Sequence, residues 1–161
     1  MIRLLRRARL TGVLFASLAS HYVAQQPPTD PLTGYWELNV ARSHYGGGAE
    51  PRTRESFVCV AHKSGLNCTI ESTYTDGRRV SGGFTASYGG AAGPTRGISD
   101  VDHVRLAKIS DTIADATFSK DGKPVYAYRA VRSAKGHVLT ITSVNPATRA
   151  VLNSVIVYDR R

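Results

Sequence analysis

From residue 33 onward, apolar side chains recur at every second position, in runs broken by turn residues at about 8–12-residue spacing, the pattern of a sandwich or barrel. Phe57, Cys59 and Ala61 share one face of such a run. Leu66, Cys68 and Ile70 share one face of the next, with His62-Lys63-Ser64-Gly65 between the two. Asp76-Gly77 is a strong hairpin signal and leads to Val80, Gly82, Phe84, Ala86 and Tyr88 in phase. Further runs cover 102–109, 112–119, 125–132, 138–144 and 151–158, punctuated by Ser110-Asp111, Asp121-Gly122 and Lys135-Gly136. Tyr35 to Val40 supplies the first run. No window of a dozen residues keeps the i, i+3, i+4, i+7 spacing of a helix. Tight turns between sequential neighbours force antiparallel pairing.

The pattern predicts an all-β domain, an eight- or nine-stranded antiparallel meander. Closure into a barrel is the simplest way to leave no exposed edge, and an open two-sheet sandwich fits the same periodicity. The segment 88–97, YGGAAGPTRG, reads as an open loop because of its glycines and Pro94.

The amino-terminal residues follow a different pattern. Arg3, Arg6, Arg7 and Arg9 form a cationic head with no acid nearby, Leu10 to Leu18 is a short apolar stretch, and Ser17-Leu18-Ala19 offers small residues to a peptidase. These are the three parts of a secretory signal, and the apolar run is far shorter than the about 20 residues of a spanning helix. Residues 1–19 are expected to be a cleaved signal peptide, with cleavage as late as Ala24. Residues 20–32 are expected to be a flexible leader and 33–161 the barrel domain. The expected location is periplasmic or extracellular, with no transmembrane segment in the mature chain.

Charge changes this picture little. The chain has 21 Lys and Arg against 12 Asp and Glu, a formal net charge of +9, and loss of the four arginines at the head lowers it to +5. The remaining cations are interspersed with acids or occur in pairs such as Arg78-Arg79 and Arg160-Arg161. Nucleic-acid binding needs cations clustered on one face, so nucleic acid is not an expected partner.

Candidate chemistry is sparse. Cys59 and Cys68 are an even pair in a chain read as exported, on the apolar faces of adjacent runs, and are expected to form a disulfide; two buried free thiols are the alternative. A redox role would want a Cys-x-x-Cys arrangement. His21, His44, His62, His103 and His137 lack metal-ligand spacing. Glu37, Glu55, Glu71, Asp102 and Asp115 are scattered singly over different strands, which reads as surface placement, whereas glycoside hydrolysis requires two facing acids. There is no G-x-S-x-G, P-loop or G-x-G-x-x-G before a helix. No catalytic residue, metal or cofactor is expected, and nothing in the sequence demands an enzyme.

The aromatic residues are more suggestive. Tyr126 and Tyr128 share a strand face with Ala130, and Phe84 and Tyr88 share another with Gly82 and Ala86. Small residues beside aromatic ones leave room for an apolar ligand with a few polar contacts. The same rings also suit a filled barrel, since eight strands enclose little more than their own side chains. Arg129 shares the opposite face with Val125, Ala127 and Val131, where it either snorkels outward or meets a ligand anion. If that apolar face is the inward one, Tyr126 and Tyr128 point outward. Phe84, Tyr88, Tyr126 and Tyr128 are the expected pocket lining, with Arg129 or His103 as polar anchors.

Gly34-Tyr35-Trp36, at the head of the first strand, resembles the G-x-W signature of the lipocalins. In that family the tryptophan plugs the closed end of the barrel and a basic residue late in the last strand packs over it; the resemblance implies Trp36 and Arg160 in these structural roles. The chain is more closely similar to a narrower group of exported bacterial lipocalin-like proteins that open on G-x-W-x-L-N-x-x-x-S, here Gly34, Trp36, Leu38, Asn39 and Ser43. Their D-G-K hairpin turns appear as Asp121-Gly122-Lys123, and their last strand as VIVYDRR. The similarity spans roughly 33–161, with two departures: the cysteine-bearing hairpin, and Ser133-Ala134-Lys135-Gly136-His137 where S-x-D-G-K often stands. It implies a barrel with one open mouth and no particular ligand; the aromatic residues make binding of a small hydrophobic or amphipathic molecule in the barrel the leading expectation. A protein-interaction or inhibitor module of the cell envelope, acting through the 88–97 loop, is a second reading. A barrel-lumen isomerase or cyclase is a third, and rests on fold analogy alone.

Overall fold

The computed structural model describes residues 30–161 apart from 47, 48 and 64. The expected signal peptide lies outside the described residues, as does the leader up to residue 29. Ten strands follow one another: β1 (Gly34–Leu38), β2 (Arg52–His62), β3 (Gly65–Tyr74), β4 (Arg79–Ser87), β5 (Gly93–Arg96), β6 (His103–Lys108), β7 (Ile113–Lys120), β8 (Lys123–Arg132), β9 (Val138–Val144) and β10 (Val151–Arg160). A single 3-10 turn, Val40–Arg42, follows β1. Each strand pairs antiparallel with its chain neighbours, and β10 pairs with β1 to close the barrel. Closure excludes the open sandwich.

The strand count is ten rather than the expected eight or nine. The additional strand is β5, inside the segment that its glycines and Pro94 mark as an open loop. It is held by two residue pairs on each side, Gly83 with Arg96 and Phe84 with Thr95, then Gly93 with Val104 and Pro94 with His103. So short a strand carries no readable alternation. Its first residue must be small: a Cβ on Gly93 would lie 1.9 Å from the Thr85 carbonyl oxygen of β4.

Turn chemistry elsewhere matches the sequence. Asp121 and Gly122, with φ of 48° and 74°, connect the directly paired Lys120 and Lys123, which is the two-residue turn whose twist suits a hairpin.

One end of the barrel is plugged. Trp36 is completely buried there and donates from Nε1 to the Leu32 carbonyl oxygen at 2.8 Å. The Arg160 guanidinium lies 5.5 Å from the centre of the Trp36 ring. Leu32, Leu66, Leu106 and Leu139 are buried in the same core cluster as Trp36, and Pro31, at the end of the expected leader, is fully buried. Cys59 and Cys68 stand directly opposite each other on β2 and β3 and form the expected disulfide.

Candidate functional site

The other end opens into a cavity of about 790 Å³. Its rim is made by Ala49 and Glu50 before β2, Asp76 and Arg78 in the β3–β4 turn, and 97–100 after β5. Its walls are the inward positions of the strands: Phe57 on β2, Ile70 on β3, Val80 and Phe84 on β4, Ala116 and Phe118 on β7, Tyr126, Tyr128 and Ala130 on β8, Ile141 on β9 and Ile156 on β10. Strand alternation places these side chains on one face. The rings form a chain along the wall, Phe84 to Phe118 at 5.7 Å and Phe118 to Tyr128 at 5.9 Å, both edge-on.

Within this apolar wall sits a polar cluster. Glu55 is 4% exposed, and its carboxylate accepts hydrogen bonds from Ser72 Oγ, from the Tyr158 hydroxyl and from Arg52 Nη1, the last at 3.2 Å. Three donors around one carboxylate are what a buried acid requires. Ser72 is its direct partner across the β2–β3 pair. Burial, and then the Glu55 charge, push the Tyr158 hydroxyl far above its ordinary pKa, so it stays a neutral donor. Burial likewise raises the Tyr128 hydroxyl. For Arg52, burial is the largest influence and works against the charge, but Glu55, Tyr158 and Tyr74 together more than offset it, which keeps the guanidinium protonated. Its position depends on an irregularity in β2. Arg52 pairs with Tyr74 and Arg54 with Thr73, so one extra residue is accommodated between them. Such a bulge reverses the alternation, and Arg52 turns inward although it is out of phase with Glu55 and Phe57.

At the rim, Arg78 stacks on the Tyr74 ring at 4.0 Å and pairs with Glu50, tying the β3–β4 turn to the segment before β2.

Of the residues singled out from the sequence, Phe84, Tyr126 and Tyr128 line the cavity, with Tyr126 at the mouth and 40% exposed. Three others do not line it. Tyr88 packs against the core, bridged to Leu106, where burial and the Asp30 charge raise its hydroxyl pKa. His103 is exposed, with Nδ1 2.9 Å from Asp102 Oδ1. Arg129 lies exposed and makes a two-pronged pair with Asp115, both contacts 2.9 Å, which Arg149 joins at 2.7 Å. The face it shares with Val125 and Val131 is the outer one, so its charge stays in water and Asp115 is its partner.

Arg52, Glu55, Ser72 and Tyr158 are the lumen residues that sequence reasoning missed. Glu55, read as a surface acid, is instead buried; its signal was its phase with Phe57 and Cys59. Among the described residues no three His, Cys, Asp or Glu side chains converge as a metal would need, and no helix is long and apolar enough to cross a membrane. Comparison of the chain with protein families, with curated proteins and with solved structures finds no match.

Proposed function

We propose that this protein is an exported, lipocalin-like carrier that holds a small, partly apolar molecule in the lumen of its barrel. The cavity carries this reading: about 790 Å³, open at one end, apolar and aromatic along its walls and polar at a few fixed points. Ligand sites typically occupy about 300–1,000 Å³ with that composition. A barrel filled by its own side chains would have no such space. Export is supported by the secretory-type head of the sequence and by the disulfide, which persists in oxidising compartments. The plug of Trp36 under Arg160 supports the lipocalin-like reading of the closed end. The loop-module reading loses part of its basis, since β5 takes up four of the ten residues of the segment it relied on.

The test is titration with 1-aminoanthracene, an uncharged fluorophore that brightens in apolar surroundings. Wild-type protein should give saturable one-site binding. Ala116→Trp, which fills the lumen, should abolish it, and Tyr128→Ala should weaken it more than it lowers the unfolding midpoint. Absence of saturable binding, or binding unchanged in Ala116→Trp, would overturn the proposal.

A further inference from the structure

The polar cluster specifies what kind of head group the lumen accepts. Both oxygens of Glu55 are already engaged, Oε1 by Arg52 and Tyr158 and Oε2 by Ser72. Of the unused groups, Arg52 Nε can only donate, while the Ser154 hydroxyl can donate or accept. Arg52 Nε and Ser154 Oγ are buried, belong to residues that line the cavity, and have no hydrogen-bond partner among the described residues. Ser154 is only 2% exposed. A buried donor without an acceptor is destabilising, so a ligand that brings an oxygen to it gains affinity over one that does not.

Charge then decides the form of that oxygen. The Arg52 guanidinium is balanced by Glu55 at 3.2 Å. A carboxylate seated against Arg52 would place a second anion beside Glu55 and leave one negative charge uncompensated in a low-dielectric site. An ammonium head would set a second cation beside Arg52, with the single Glu55 charge to balance both. The rim offers an anion no help, because Arg78 is matched by Glu50 and by Asp76.

We propose that the lumen selects an uncharged amphipath with a hydrogen-bond-accepting oxygen, such as a long-chain ketone or ester. The oxygen sits at Arg52 Nε or Ser154 Oγ, and the chain lies along Phe57, Phe84 and Phe118. This rests on the carrier reading and narrows it.

The experiment is displacement of 1-aminoanthracene at pH 7.5 by three ligands of matched length: 2-dodecanone, dodecanoate and dodecylamine. The ketone is expected to displace the probe at a concentration at least tenfold below that of either ion. In Glu55→Gln the Arg52 charge loses its partner, and dodecanoate should improve at least tenfold relative to the ketone. Ser154→Ala, a small change that keeps the fold, should weaken the ketone severalfold once displacement is corrected for the variant's own probe affinity. Displacement by dodecanoate as strong as by the ketone in wild-type protein would overturn the inference while leaving a carrier. So would a ketone indifferent to Ser154→Ala together with a selectivity indifferent to Glu55→Gln. Failure of the probe itself to bind would overturn the carrier reading, and this inference with it.

Discussion

A carboxylate set among Phe57, Ile70 and Tyr158 is costly to bury unless its oxygens are hydrogen-bonded, and Glu55 meets that condition with donors from three different positions on β2, β3 and β10. The arrangement makes Tyr158 more than a core ring. Tyr158→Phe keeps the packing against Phe57, whose ring centre is 6.2 Å away, and removes one donor from a buried acid. Stability should fall by about 1–2 kcal/mol, read as a lower urea midpoint with unchanged slope; an unchanged midpoint would show that Glu55 does not depend on this bond. Residue by residue, the site was legible where alternation holds. Phe84, Tyr126 and Tyr128 follow their strand phases into the lumen, and Glu55 does the same once its phase with Cys59 is given more weight than its charge. Arg52 was not legible, because a bulge is set by local pairing that single-sequence periodicity does not report. Nor does periodicity say which of the two faces of β8 is inward. Only closure of the barrel decides that, placing Arg129 outside and Tyr128 inside.

Among the elements, the β2–β3 hairpin joins the two ends of the molecule. Its disulfide is in the plugged half and its Glu55–Ser72 pair is in the open half. The two cysteines are nine residues apart, and closing so short a loop removes chain entropy equivalent to about 2–3 kcal/mol. Cys59→Ala with Cys68→Ala should lower the melting temperature by roughly 10 °C, and reductant should then have no further effect on that variant. A melting temperature equal to that of the oxidised wild-type chain would mean that hairpin pairing alone holds this half. The hairpins were legible from Asp76-Gly77, Asp121-Gly122 and Lys135-Gly136, because turns of this kind have strict residue requirements. β5 was not, since a four-residue strand rich in turn formers is defined by its neighbours, β4 and β6, rather than by itself.

For the molecule as a whole, ionisation should narrow stability at both ends of the pH scale. Burial raises the hydroxyl pKa values of Tyr45, Tyr88, Tyr128 and Tyr158. The unfolded chain releases those protons near pH 10 while the folded chain keeps them. Their contribution is therefore complete below about pH 10 and is lost as the pH rises beyond it, Tyr158 alone accounting for about 1.4 kcal/mol per pH unit. Asp115 behaves oppositely. Burial disfavours its charge, but Arg129 and Arg149 outweigh that and hold its pKa below the usual carboxylate value. Its contribution is present above about pH 4 and is lost as the pH falls through the lowered value. Unfolding midpoints measured from pH 2 to 12 should form a plateau with both shoulders, and an alkaline limb flat to pH 12 would contradict the burial of these tyrosines.

Isoleucine methyl resonances distinguish a lumen that binds from one that is only a packing defect. Ile70, Ile98, Ile141 and Ile156 line the cavity, whereas Ile109 is 55% exposed and does not. In a methyl-labelled sample titrated with 2-dodecanone, the signals of the four lining residues should shift together and saturate while that of Ile109 stays still. Movement of Ile109 alone, or no saturable shift at the four lining methyls, would contradict it.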